Sequence, residues 1–192
     1  VYKHLSMLMN DLIVFALQAE APSLFKYNNV FQIGVGKVNA AINLTTLINT
    51  LQPTRVINLG TAGGIKLNTG IYRVNHVFQH DVNLTSLGLE PGQILSDNNC
   101  FIDLKGHGYT CATGDIHVTE KHKMRLDCDM VDMEAYSIAK ACLKNNVHCE
   151  IWKYISDQAD ENAGITWQQE VAAGEELYRK VLEDLQVKLI GG

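Results

Sequence analysis

The sequence has no C-x-x-C pair, and its five cysteines, Cys100, Cys111, Cys128, Cys142 and Cys149, are odd in number. That pattern speaks against a disulfide framework and for reduced thiols in a cytoplasmic protein. Long basic runs are missing too. Lys121-His122-Lys123 is short and flanked by acids, and reads as a solvated loop. A net charge of -5 and a pI near 5.8 argue against a general nucleic-acid binder. The apolar run at residues 12–17 is far too short to span a bilayer, and Gln18 and Glu20 follow it at once, unlike a cleavable signal. No membrane partner is expected. Residues 1–6 read as a remnant outside the fold. G-x-G-x-x-G is absent, and Gly34-Val35-Gly36-Lys37 lacks the longer glycine frame and the Lys-Ser or Lys-Thr ending of a phosphate loop. His76 and His80 stand four apart in a stretch that reads as strand, where such spacing does not converge on a metal. Neither a metal nor a cofactor is expected.

What remains is an ordinary globular composition, 46% hydrophobic and 19% charged over 192 residues. This suits one domain over residues 1–192, since no linker, repeat or low-complexity segment divides it. Continuous apolar runs at 12–17 and 55–59 read as strands buried on both faces, with 30–33 a weaker third. Between them, Val38, Ala41, Ile42, Thr45 and Ile48 fall on one helical face, and Pro53 marks the stop. Residues 71–82 read as one or two strands and 151–155 as another. Residues 133–145 read as a helix with Ile138, Ala141 and Cys142 inward. Val171, Tyr178, Val181, Leu182 and Leu185 line a closing helix, and residues 88–108 read as a long surface loop. The pattern is that of an α/β layered sandwich.

Three motifs carry polar chemistry. Asn58-Leu59-Gly60-Thr61-Ala62-Gly63-Gly64 follows a buried strand. It is either a tight turn or a place where backbone N–H groups approach a ligand at the carboxyl end of a sheet. Glu134 in Val131-Asp132-Met133-Glu134-Ala135 sits where a helix begins. It is either an acid favoured by the helix dipole or a site residue. Asp157 in Ile155-Ser156-Asp157 lies just past a strand, as a cap or as a general acid.

These motifs occur together, in order, with Ala16-Leu17-Gln18-Ala19-Glu20, Gly34-Val35-Gly36-Lys37-Val38, Asp81-Val82-Asn83-Leu84-Thr85, Pro91-Gly92-Gln93 and Thr113-Gly114-Asp115. The set resembles the nucleoside phosphorylase superfamily, and within it the 5′-methylthioadenosine/S-adenosylhomocysteine nucleosidases, from about Leu12 to Leu189. The resemblance implies a three-layer α/β sandwich around a central mixed sheet, a small purine nucleoside as partner, and a homodimer. It also implies roles. Asp157 is the general acid toward the purine N7, oriented by Ser156. Glu20 activates the attacking water, with the Thr61 hydroxyl beside it. Glu134 holds the ribose hydroxyls and Met133 packs against the sugar. Val118 and His117 lie in the base-recognition segment that begins at Ile116, with His117 either stacking on the purine or standing as an exposed loop residue. Trp167 either lines the sugar side or is a core residue. Lys153 stands where these nucleosidases usually have Arg, and is expected to engage Glu20.

Some departures bear on specificity. The segments from Glu20 to Gly34 and from Val118 to Val131 are short, and Leu87 replaces an aromatic residue that reaches the 5′ substituent in relatives. The expected activity is hydrolysis of a purine N-glycosidic bond. A phosphorylase and a nucleoside-binding protein without turnover are the rivals. Asn58 in place of a phosphate-binding Arg favours water over phosphate, and the trio Glu20, Glu134 and Asp157 favours catalysis over mere binding.

Overall fold

The computed structural model describes residues 10–97, 99–124 and 126–192. Residues 1–6, read above as a remnant, lie outside the described residues. Eight strands form one mixed sheet. β1 (Asp11–Phe15) runs parallel to β2 (Val30–Gln32) on one side and to β3 (Arg55–Gly64) on the other. Side chains alternate across a strand. Leu12 and Val14 therefore enter one core while Ile13 and Phe15 enter another. Two covered faces explain why this run is apolar throughout.

The first core is closed by α1 (Lys37–Leu51) and α2 (Ala135–Lys144), through Leu44, Ile48, Ile138 and Cys142. The second is closed by α4 (Glu175–Asp184), where Tyr178, Val181 and Leu182 meet Ile13, Phe15, Ile57 and Leu59. Helix, sheet and helix make the expected three layers. No helix among the described residues is long and apolar enough to cross a membrane.

The remaining strands are β4 (Ile71–Gln79), β5 (Phe101–Asp103), β6 (Tyr109–Thr113), β7 (Met130–Asp132) and β8 (His148–Asp157). They curl the sheet onto itself. β3 pairs parallel with β8 along most of its length, then antiparallel with β7 at Gly63 and Gly64. β7 runs parallel to β6 and β6 to β4, while the first half of β4 lies antiparallel to β8. The order β3-β7-β6-β4-β8 thus closes a ring. Gly64 allows the change of partner, because a Cβ there would occupy the position of the Leu67 carbonyl oxygen.

The structure departs from the sequence reading at several places. The glycine motif is not a loop after a strand: β3 continues through it to Gly64. Ser156 and Asp157 are likewise the last residues of β8, not residues beyond it. On α1 the buried stripe is Ala40, Leu44, Ile48 and Leu51, whereas Val38 and Ile42 are 66% and 60% exposed. The helix carries two apolar stripes of equal period, and periodicity alone does not choose between them. The stretch 88–108 contains β5, a three-residue edge strand antiparallel to β4 and too short to show a period. Val171 sits in the turn before α4, and α3 (Ala163–Glu170) has no counterpart in the apolar pattern.

Candidate active site

β1, β3 and β8 are parallel, and their carboxyl ends open on one cavity of about 330 Å³. A ligand site at that edge is the usual outcome for an α/β sheet. Nine of the ten residues singled out from the sequence line it: Glu20, Thr61, His117, Val118, Met133, Glu134, Ser156, Asp157 and Trp167. Lys153 does not. It lies behind the wall, 2% exposed.

Glu20 ends a one-turn 3-10 helix after β1, where it is 3% exposed. Its Oε1 accepts the Thr61 N–H at 2.7 Å and the Thr61 hydroxyl at 2.9 Å, and its Oε2 accepts the Leu17 N–H at 3.0 Å. Trp167, on α3, donates its indole N–H to the same Thr61 hydroxyl at 3.0 Å. Trp167 is thus a cavity residue rather than a core one. Asp157, 6% exposed, accepts the Ser156 hydroxyl at 2.9 Å through Oδ2 and the Ala159 N–H at 3.0 Å through Oδ1. It therefore caps the turn after β8 and faces the cavity at once. The glycines of β3 make room for these two acids. A Cβ on Gly60 would lie 3.0 Å from Glu20 Oε1, and one on Gly63 would lie 3.0 Å from Asp157 Oδ1. Both glycines thus admit side-chain carboxylates, and Gly63 itself lines the cavity.

Lys153 pairs with Asp132 and not with Glu20. Its Nζ is 2.8 Å from Asp132 Oδ2, with both side chains buried. Asp132 also accepts the Thr113 hydroxyl at 2.7 Å and the Ala135 N–H at 2.8 Å. Burial opposes the charge of Asp132, but Lys153 and these donors outweigh it and hold the carboxyl below its ordinary range. Burial also opposes the charge of Lys153, and Asp132 and Glu134 raise its pKa above the ordinary lysine value. Asp132 was not singled out from the sequence, although it sits inside the Met133-Glu134 motif. Only its position beneath the cavity identifies it.

Asp132 takes over the helix-terminal work that the sequence left open for Glu134. The first N–H of α2 goes to Asp132 and the next, from Tyr136, to the Thr113 hydroxyl at 2.9 Å. Glu134, at the N-cap position, makes no cap bond. Its carboxylate instead accepts the Gly36 N–H at 2.9 Å, across the cavity. Gly36 has φ +90, a conformation that L side chains rarely adopt. Next to it, the Lys37 N–H meets Asp115 at 2.7 Å, and the Lys37 ammonium meets Asp81 at 2.7 Å and Gln79 at 3.0 Å. Asp81 also accepts the Asp115 N–H at 2.9 Å. This network anchors the segment that carries the exposed His117 and the half-buried Val118 to the start of α1. Among the described residues, no group of three or more His, Cys, Asp or Glu is placed to hold a metal ion.

Burial, followed by the nearby Asp132 charge, pushes the Glu134 carboxyl up to about 8, against the opposing pull of Lys153 and the Gly36 N–H. The folded chain thus keeps a proton on Glu134 that the unfolded chain has released above about pH 4.5. More protons on the native state means that stability falls as pH rises. This contribution is complete below about pH 4.5 and gone above about pH 8. Thermal unfolding of wild type should therefore weaken across that window, and Glu134→Gln should flatten the decline. An unchanged slope in the variant would refute the assignment.

A family model described as the phosphorylase superfamily matches residues 26–102. A 5′-methylthioadenosine/S-adenosylhomocysteine nucleosidase of Exiguobacterium sp. is 31% identical over 166 residues, covering 73% of this chain and 71% of the relative. One of Staphylococcus epidermidis is 31% identical over 163 residues, covering 72% of each. Among solved structures, a futalosine hydrolase mutant of Helicobacter pylori superposes with a TM-score of 0.82 at 20% identity, over 92% of this chain and 97% of that one. The Streptococcus pneumoniae MTA/SAH nucleosidase in complex with 8-aminoadenine gives 0.79 at 20% identity, over 91% and 97%. The structural likenesses speak for the fold. The sequence relatives carry the kinship: the chain belongs to the 5′-methylthioadenosine/S-adenosylhomocysteine nucleosidase family of the phosphorylase superfamily.

Proposed function

We propose that this chain is a purine nucleosidase that hydrolyses the N-glycosidic bond of an adenosine-type nucleoside to free base and ribose. The substrate is 5′-methylthioadenosine, S-adenosylhomocysteine or a related purine nucleoside. The observation that carries the reading is the charge of the cavity. Glu20, Asp132, Glu134 and Asp157 line it, and among the described residues no Lys or Arg does. Lys153, behind the wall, is already paired with Asp132. Asn58 adds no charge, and its amide is committed to the Val14 and Leu59 carbonyls at 3.1 and 3.2 Å. Phosphate needs donors and cations to enter a closed site, and the Glu20 carboxylate would repel it. Water needs neither.

In the proposed reaction Asp157 gives a proton to the purine N7 as the C1′–N9 bond breaks and its electron pair passes to the base. A water held by Glu20 and Thr61 adds to the cationic C1′, and its proton passes to Glu20. Exchange with solvent then returns a proton to Asp157 and takes one from Glu20. Buried carboxylates around the site stabilise the developing positive charge of the sugar. Glu134 meets the ribose diol as a carboxyl group able to donate and accept, and Met133, Val118, His117 and Trp167 enclose sugar and base. Five free cysteines suit a reducing compartment, and we place the enzyme in the cytoplasm.

Base release from 5′-methylthioadenosine should proceed at full rate in phosphate-free buffer and yield a free sugar. A sugar 1-phosphate, or a rate that requires phosphate, would put a phosphorylase first. Asp157→Asn should lower kcat by about 10²–10⁴-fold, the usual worth of a general acid. A variant keeping more than about a tenth of wild-type kcat, with chemistry limiting, would remove Asp157 from that role.

The enzyme acts as a homodimer in this reading. Val38 and Ile42 form an exposed apolar stripe on α1, and Val35, just before that helix, also lines the cavity. A second copy covering this face would bury on the order of 1,000 Å² or more in all. Light scattering should give twice the chain mass, and Ile42→Glu should give a folded monomer. A wild-type monomer at micromolar concentration would overturn the dimer.

A further inference from the structure

The chemistry of Trp167, Thr61 and Glu20 settles which way their hydrogen bonds run. An indole N–H only donates, a carboxylate only accepts, and a hydroxyl has one proton and two lone pairs. Trp167 Nε1 is 3.0 Å from Thr61 Oγ1, which is 2.9 Å from Glu20 Oε1. The hydroxyl must therefore accept from the indole and give its proton to Glu20. One lone pair of Thr61 Oγ1 is left. Glu20 Oε1 is occupied twice, because it also accepts the Thr61 N–H at 2.7 Å. Glu20 Oε2 receives only the Leu17 N–H at 3.0 Å and keeps a free acceptor position.

The free positions are thus one on Thr61 Oγ1 and one on Glu20 Oε2. A water that donates one proton to each is held by both its O–H bonds and keeps its own lone pairs for attack on C1′. Were the Thr61 proton to point at the water instead, it would engage one of the water's two lone pairs and lower its nucleophilicity. We propose that Trp167 is a positioning residue for hydrolysis: its indole N–H fixes the Thr61 hydroxyl as an acceptor for the attacking water, and Glu20 Oε2 is the oxygen that takes the proton. The inference rests on the reading of Glu20 as the base. A ring without the N–H would still pack beside the sugar but would leave the hydroxyl free to turn.

The test is a double-mutant cycle with Trp167→Phe and Thr61→Ala, read in single turnover on 5′-methylthioadenosine. In the wild-type background Trp167→Phe should lower kcat about five- to tenfold, the effect of one lost neutral hydrogen bond, with KM within about twofold. In the Thr61→Ala background the same change should cost less than about twofold, since the hydroxyl it orients is gone. Equal losses in both backgrounds would mean that only the ring matters, and would overturn the proposal. A second readout needs no turnover. The Trp167 indole N–H resonance, assigned from its absence in Trp167→Phe, should move upfield in Thr61→Ala, and no movement would overturn the proposal. If that resonance moves as expected while wild type releases no base, the hydrolase reading falls and the positioning role with it. If base is released but the cycle is additive, only the positioning role falls.

Discussion

Lys153 carries an ammonium into the interior on β8, and Asp132 on β7 meets it at 2.8 Å. Losing either partner would strand a buried charge, at a cost of about 3–5 kcal/mol. The pair links two strands of the closed ring that do not touch each other directly; β3 lies between them. Asp132 spends its remaining capacity on Thr113 and on the first N–H of α2. The start of that helix is thereby set at a fixed height over the cavity, and Met133 and Glu134, on the two intervening positions, face the ligand space. A lysine supplies a compact point charge rather than the planar fork of an arginine. One carboxylate is enough to hold it, so Glu20 is left to other partners.

The same crowding of acids shapes the chemistry. Burial and the Asp132 charge hold a proton on Glu134, while Glu20 is fixed by the Thr61 N–H and hydroxyl of β3 and Asp157 by the Ala159 N–H just past its own strand. Acid and base sit on opposite sides of β3, at Gly63 and Gly60 respectively, and the missing Cβ atoms let both carboxylates close on the strand. A cavity built this way disfavours anions and suits a cationic sugar. With Glu134 protonated and Asp132 paired to Lys153, the Glu20 carboxylate carries most of that bias, which favours water over phosphate.

Much of the fold was legible in the chain itself. The apolar run at residues 12–17 reads as a strand covered on both faces, and the alternate residues from Leu12 to Phe15 do enter two cores. The buried face of α2 read correctly because Ile138, Ala141 and Cys142 form its inward stripe. α1 did not, because Val38 and Ile42 repeat with the same period as Ala40, Leu44 and Ile48. The glycine motif reads as a turn or a ligand loop past a strand, because glycine permits these as well as a bent strand. Only the pairing of Gly63 and Gly64 with β7 decides between them.

By itself the sequence determined the strand and helix order, the family, and which acids are candidates, since these depend on local pattern and on motif order. The tertiary structure decided which charges meet. Lys153 pairs with Asp132 rather than Glu20, Asp132 rather than Glu134 caps α2, and Trp167 reaches Thr61 from α3. Each of these contacts is a matter of a few ångströms between residues on different elements, and β7 and β8 come to flank β3 only when the ring closes. Hydrogen-bond geometry discriminates over tenths of an ångström. No spacing along the chain encodes a distance of that kind.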